Sequence, residues 1–379
     1  MRILPKILFA ALLAGCTQTV YIRNLPQENG GHLNFGKDGD RNFYIPASVS
    51  DSLKLKWETA TYGSYNNSSV IGYDKYIITH DLSGYIHCFD RNDGKEIGVL
   101  NYTGSIFSSP VIYKSRMFFV VNNSEEKYST VYYYDLKDGK ILSKTELNGS
   151  FSNQTLKNDN AFYLIGDRGA IYKFNYAGVL EWEYETGLEV LSTPAIKGES
   201  IYFVSTKGEI VSFDYIKKEI TVKKNIGEPV YSGIVIDGNN GYTAGGRGGI
   251  YCFDLKTLEI RWNRETGSKA ASLPVCGDEN LITVNLSGKA SCYNKSTGNP
   301  VWQRNYGGAP FSTPLLFKNL LIQPNLDRYL YLINPANGDL LKRIKTGGRM
   351  KLSPVYLDGL LIVGYDKGII GAYELMEVK

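Results

Sequence analysis

Gly248-Gly-Ile-Tyr-Cys-Phe-Asp254 and, forty residues on, Gly288-Lys-Ala-Ser-Cys-Tyr-Asn294 follow one pattern: a glycine, a short run of aromatic, β-branched and small residues, then an acidic or amide residue. Gly84-Tyr-Ile-His-Cys-Phe-Asp90 and Gly208-Glu-Ile-Val-Ser-Phe-Asp214 repeat it. The closing residue recurs at Asp90, Asp135, Asn175, Asp214, Asp254, Asn294, Asn334 and Glu374, in steps of 45, 40, 39, 40, 40, 40 and 40. A fixed period of this size marks a repeat architecture. The one long step contains the polar stretch Asn122-Asn-Ser-Glu-Glu-Lys127, as a loop insertion would.

Two further landmarks keep the same beat. Ser109-Pro110, Thr193-Pro194, Leu273-Pro274, Thr313-Pro314 and Ser353-Pro354 each precede a short apolar run, and proline is tolerated at the first residue of a strand. Trp262 and Trp302 stand eight residues after an anchor, and Trp182 stands seven after. Trp57 has no anchor before it, so it supplies the last strand of the repeat whose anchor is Glu374. A repeat split between the two ends of a chain makes sense in a closed ring. The expected fold is therefore all-β: an eight-bladed β-propeller of four-stranded blades, closed by pairing an N-terminal strand with the C-terminal blade. Helical repeats of similar period fail, because the segments are short, aromatic and β-branched and are punctuated by Gly, Asn and Asp.

The anchors have a local reason. In Asp90-Arg-Asn-Asp-Gly94, Asp135-Leu-Lys-Asp-Gly139 and Asn294-Lys-Ser-Thr-Gly298 the Asx side chain can accept from amides ahead of it, and Gly supplies the left-handed position of a hairpin. A calcium loop would need several convergent oxygens and a bidentate Glu, which these turns lack. No metal is expected.

At the N-terminus, Arg2 and Lys6 precede the apolar run Ile7–Ala14, the layout of a secretory signal over residues 1–15. The run is too short for a spanning helix. It ends in Leu13-Ala14-Gly15-Cys16, which resembles the lipobox of bacterial lipoproteins; that resemblance implies cleavage before Cys16, acylation of its thiol and amine, and, with Thr17 next, retention at the outer membrane facing the periplasm. Several acyl chains give stable anchoring. Residues 16–52, rich in Gly, Asn and Asp, read as the lipidated Cys and a flexible tether, whose ends as a coil of 36 residues would lie roughly 30–35 Å apart. The propeller occupies 53–379. The formal net charge of +4 falls to +2 without Arg2 and Lys6, so no electrostatic argument supports nucleic acid as a partner. Cys88, Cys252, Cys276 and Cys292 remain in a compartment that permits disulfides, and their spacing leaves the pairing open.

The repeat, with aromatic-Asp-x-x-Thr/Asp-Gly and a following Trp, resembles the pyrroloquinoline-quinone-like propellers over about residues 53–379. The lipobox and the single eight-bladed domain are similar to the BamB-like lipoproteins of the outer-membrane β-barrel assembly machinery. That resemblance implies a non-catalytic periplasmic scaffold that binds the periplasmic domains of the barrel-inserting subunit and assists insertion of outer-membrane proteins. It also implies a docking surface in the loops after the third and fourth anchors, here Gly187-Leu-Glu-Val-Leu191 and Gly227-Glu-Pro-Val-Tyr231. Leu188 and Leu191 match the family's leucine-rich stretch and Glu228 its acidic position, while the family's arginine has no counterpart. Equally, the two leucines can be edge-of-core residues.

Alternatives are a binding propeller of another envelope complex, or a quinone- and calcium-dependent dehydrogenase on the same fold. The enzymes resemble longer chains with a vicinal Cys-Cys pair, and no two cysteines are adjacent here. Cys88, Cys252 and Cys292 share one strand position two before the anchor, where small buried side chains fit. His32, His80 and His87 form no zinc motif. Gly245-Gly-Arg-Gly-Gly249 resembles a phosphate loop but lies between two strands. No cofactor is expected. The pairs Lys217-Lys218 and Lys223-Lys224 read as a solvated hairpin.

Overall fold

The computed structural model describes residues 19–23, 31–123 and 127–378; Cys16, the signal segment and part of the insertion after Asn122 lie outside them. The described chain forms eight four-stranded antiparallel blades, seven of them from four consecutive strands, with an extra N-terminal strand added to two of the seven. In chain order the blades span 71–101, 111–148, 156–185, 195–225, 230–265, 275–305, 315–345 and 355–374. The eighth takes its outermost strand from Lys54–Ala60, which pairs antiparallel with Ile369–Glu374 and sets Trp57 opposite Ala372. The ring closes as the split repeat requires.

Three devices hold neighbouring blades together, and each explains a landmark. Between the third and fourth strands all eight blades carry a register shift next to the anchor, for example between Cys252 and Phe253 and between Cys292 and Tyr293. A bulge re-aims the side chain that follows it. Here Trp57 Nε1 donates to Arg91 O at 2.9 Å, Trp262 Nε1 to Lys295 O at 3.0 Å and Trp302 Nε1 to Pro335 O at 2.8 Å, each in the turn of the next blade. The indole lies over that turn's glycine: a Cβ on Gly298 would come within 2.6 Å of the Trp262 ring. Gly298 is thus fixed both by its positive φ of 69° and by the ring above it. Where blade 4 has no turn glycine, Lys218 sits over the Trp182 ring instead.

The hydroxyl before the strand-leading proline has a task of its own. Thr313 Oγ1 accepts from Leu273 N, Ser353 Oγ from Thr313 N, and Ser109 Oγ from Ser69 N, each reaching one blade back over forty residues. These bonds stitch the first strands into a ring around the axis.

Residues 19–23 and 31–52 differ from the coil that their composition suggests. Thr19–Arg23 docks on blade 2: the Tyr134 hydroxyl donates to Val20 O at 2.7 Å, Ile22 N donates to Leu136 O at 2.8 Å, and Val20 and Ile22 are buried. From His32 to Ser50 the chain runs as a strap around the bore, meeting the blades in sequence. His32 pairs with Gly72 of blade 1, and Leu33 O accepts from Ile112 N of blade 2. Gly39 O accepts from Ile196 N of blade 4 and Asp40 O from Ile236 N of blade 5. Asn42 Oδ1 takes the Cys276 amide of blade 6, and Tyr44–Ile45 lies parallel to Leu316–Phe317 of blade 7. Val49 then bridges to Glu377. The buried Arg41 guanidinium ties the strap down, donating to Phe35 O, Thr155 O and Pro194 O. The physical reason is the bore itself: eight inner strands present amides that must find acceptors.

Candidate functional site

In a four-stranded antiparallel blade, the turn between the second and third strands and the connection to the next blade lie at the same end of the ring. The expected docking residues are all at that end. Leu188 is half-buried and packs against the cluster of Val190, Phe203 and Phe213, and Leu191 is half-buried too. Between them Glu189 is exposed, and its carboxylate accepts from the Thr206 hydroxyl at 2.7 Å. Val190 N donates to Asp167 O of blade 3, while Thr206 N of blade 4 donates to Glu189 O. The loop is therefore a fixed ledge bridging two blades.

Glu228 sits differently. It is 5% exposed, and its carboxylate accepts from Arg247 N at 2.6 Å and from the Tyr251 hydroxyl at 2.7 Å. In other blades the second turn opens with a polar residue that accepts from amides two and four positions on: Asp81 from Ser83 and Tyr85, Ser205 from Lys207 and Glu209, Asn285 from Ser287 and Lys289. Blade 5 has Gly245 there, and Glu228 reaches in from the preceding loop to supply the missing acceptor. A Cβ at Gly245 or Gly249 would lie 2.1 or 2.0 Å from that carboxylate, so the glycines of Gly245–Gly249 make room for an anion that the chain itself provides. Beside it, Tyr231 is 37% exposed with the Lys269 ammonium 4.1 Å from its ring centroid. This aromatic was not singled out in the sequence, where the equivalent loop position varies from Leu191 to Ala271, Phe311 and Lys351 and so gives no signal.

The axis is closed at this end as well. Asn67 Oδ1 accepts from the Ser353 hydroxyl at 2.8 Å and from Thr313 N at 3.3 Å, Asn67 Nδ2 donates to Ala271 O, and Gln154 Nε2 donates to Asn67 O. One residue, through its side chain and its carbonyl, so links blades 1, 3, 6, 7 and 8 across the bore. With the strap at the other end, the chain's own residues cross the bore at both ends, and the described residues do not offer the carboxylate and amide cluster that a quinone with its calcium would need. Among the described residues no group of three or more His, Cys, Asp or Glu is placed to hold a metal.

The titratable groups singled out by the sequence are structural in their surroundings. Cys88, Cys252, Cys276 and Cys292 are buried free thiols, and burial pushes Cys88 and Cys292 up to about 12 and Cys252 to about 11. His87 lies in its strand with Nδ1 2.7 Å from Glu96 Oε1. His80 is buried, and desolvation lowers it to about 4. Lys217, Lys223 and Lys224 pair with Asp214, Glu209 and Glu259.

Residues 82–304 match the family model described as outer membrane protein assembly factor BamB. No curated protein matches the sequence. Among solved structures, BamB from Moraxella catarrhalis superposes with a TM-score of 0.72 at 14% identity, over 85% of this chain and 100% of that one. The quinohemoprotein alcohol dehydrogenase ADHIIG from Pseudomonas putida HK5 superposes at 0.76 with 11% identity, over 91% of this chain and 80% of that one. The computationally designed Ika8 protein gives 0.72 at 11% identity, over 88% and 99%. At such identities these likenesses speak for the propeller and not for one activity. The family model spans more than half of the chain, and on that match the chain belongs to the family of the outer membrane protein assembly factor BamB.

Proposed function

We propose that the chain is a non-catalytic scaffold lipoprotein of the outer-membrane β-barrel assembly machinery, anchored through Cys16 and facing the periplasm. Its partner is the set of periplasmic domains of the barrel-inserting subunit, docked on the ledge of Leu188 and Leu191 and on Tyr231. Glu228 serves this surface by holding the Arg247 loop in place rather than by touching the partner. The observation that carries the reading is the family match over residues 82–304, which includes both loops. Half-exposed apolar side chains on a rigid, hydrogen-bonded loop suit recognition, because little order is lost on binding. Against a quinone-dependent dehydrogenase stand the chain segments that cross both mouths of the bore and the separated cysteines.

Mild crosslinking of the full-length protein in its native envelope, followed by co-purification, tests the partner. The barrel-inserting subunit should be recovered with the wild type and recovered about tenfold less with Leu191→Asp, a loss of roughly 1.4 kcal/mol. Failure to recover it with the wild type would sink the partner assignment. Dye reduction after reconstitution with quinone and Ca²⁺ would sink the non-catalytic reading. Cys16→Ser should move the protein from the membrane to the soluble fraction.

A further inference from the structure

The strap does not complete its circuit. It begins beside blade 1 and leaves beside blade 7, and the inner strand of blade 8, Val355–Leu357, lies in the gap. Tyr356 occupies the ring position held by Gly72, Ile196, Ile236, Cys276 and Leu316, each eighteen residues before its anchor. The two-residue turn Asp358-Gly359 makes Leu357 and Leu360 the closing hydrogen-bonded pair, so the amide and carbonyl of Tyr356 face the bore. Blades 2, 4, 5, 6 and 7 spend the matching amide on Leu33 O, Gly39 O, Asp40 O, Asn42 Oδ1 and Phe43 O. Among the described residues the strap brings no acceptor to the Tyr356 amide.

At that gap lies a cavity of about 390 Å³ whose lining includes His32, Phe43, Ile45, Val355, Tyr356 and Leu357. The size is that of a ligand site. A second observation also points to an occupant: His32 Nε2 is buried and has no hydrogen-bond partner. Buried polar groups ordinarily find one.

We propose that this slot takes a short extended peptide from outside the chain, which adds as a strand to the open edge of blade 8. One carbonyl of the peptide accepts from Tyr356 N, a second polar backbone group meets His32 Nε2, and apolar side chains rest on Phe43, Ile45 and Leu357. The chemistry is read from the ring: at four other blades the same edge takes a backbone carbonyl and at blade 6 a side-chain amide oxygen, so an acceptor carried on extended chain fits the missing place, and strand addition is an established way for a sheet edge to bind peptide. The cationic Arg91 at the rim is already paired with Asp358 at 2.8 Å, so the peptide needs no charge. This site depends on neither the anchor nor the partner proposed above, and its test involves neither.

Hydrogen–deuterium exchange on the full chain reads the Tyr356 amide directly. Without peptide it should exchange at least about tenfold faster than the amides of Ile196 and Ile236, and millimolar acetyl-Val-Thr-Val-Thr-amide or its Leu-Ser counterpart should slow it by at least about tenfold. Tyr356→Pro deletes the donor at an edge where proline is tolerated and should weaken the labelled peptide at least about tenfold, while Tyr356→Phe should bind as the wild type does. Slow exchange in the free protein, no slowing by either peptide, or equal binding by the proline variant would each overturn the proposal. Equal protection by acetyl-valine amide would make the slot a small-molecule site and overturn strand addition. Should the proline variant not fold, the exchange measurement on the wild type still decides.

Discussion

His80 shows how a single side chain couples this fold to its medium. Both ring nitrogens are buried, and desolvation, opposed in part by the Phe107 backbone, lowers the group from 6.5 to about 4. A base whose folded value is depressed binds its proton more weakly folded than unfolded, so stability is fully present above pH 6.5 and is lost as pH falls through 4. The span corresponds to about 3 kcal/mol. Urea unfolding of the wild type and of His80→Phe should therefore show a stability difference that is constant above pH 7 and shifts toward the variant by about that amount at pH 4. A difference independent of pH would mean that His80 takes up its proton as readily in the folded protein as in the unfolded chain. At this scale the sequence was partly legible. The anchor Asx residues and the turn glycines announce themselves because their partners are two to four residues away, as when Asn294 Oδ1 accepts from Ser296 N and Thr297 N. Glu228 did not, because its role is visible only as a missing polar residue at Gly245, filled from seventeen positions upstream.

The strap is where element-scale reading failed. Residues 31–50 have neither period-2 alternation nor a run of strand formers, since their order comes from amides of blades that lie up to several hundred residues ahead. Composition reported the absence of local structure correctly; it could not report that a ring of unpaired amides was waiting for such a chain. Arg41 is the pin of this element. Arg41→Met keeps much of the aliphatic stem and removes the donors to three buried carbonyls, so it should cost about 3 kcal/mol or more in urea unfolding. A cost below about 1 kcal/mol would mean that the strap is held by its backbone alone. The strand-leading hydroxyls belong to the same scale: the sequence shows Thr313-Pro314 and Ser353-Pro354, but only the closed ring shows that each hydroxyl serves the blade before it.

For the whole molecule the decisive legible residue was Trp57, an isolated last-strand signature far from its anchor. Its indole packs on Gly94 and bonds Arg91 O, so the closing strand also locks blade 8 onto blade 1. Trp57→Ala should cost about 3–5 kcal/mol, in the range of large aromatic truncations in cores, and should lower the Tm as a single transition rather than loosen one blade. Two separate transitions in calorimetry would show that the ring is not one cooperative unit.

The hold of Thr19–Arg23 on the second blade carries a consequence for how the disc stands at a bilayer. Only three residue steps separate Thr19 from Cys16, and no conformation lets them reach beyond about 11 Å. Acyl chains on Cys16 would then pin the hairpin at Leu136–Gly139 close to the headgroups, with the Leu188 ledge at the opposite rim, turned outward into the aqueous space like the open palm of a hand held by its wrist.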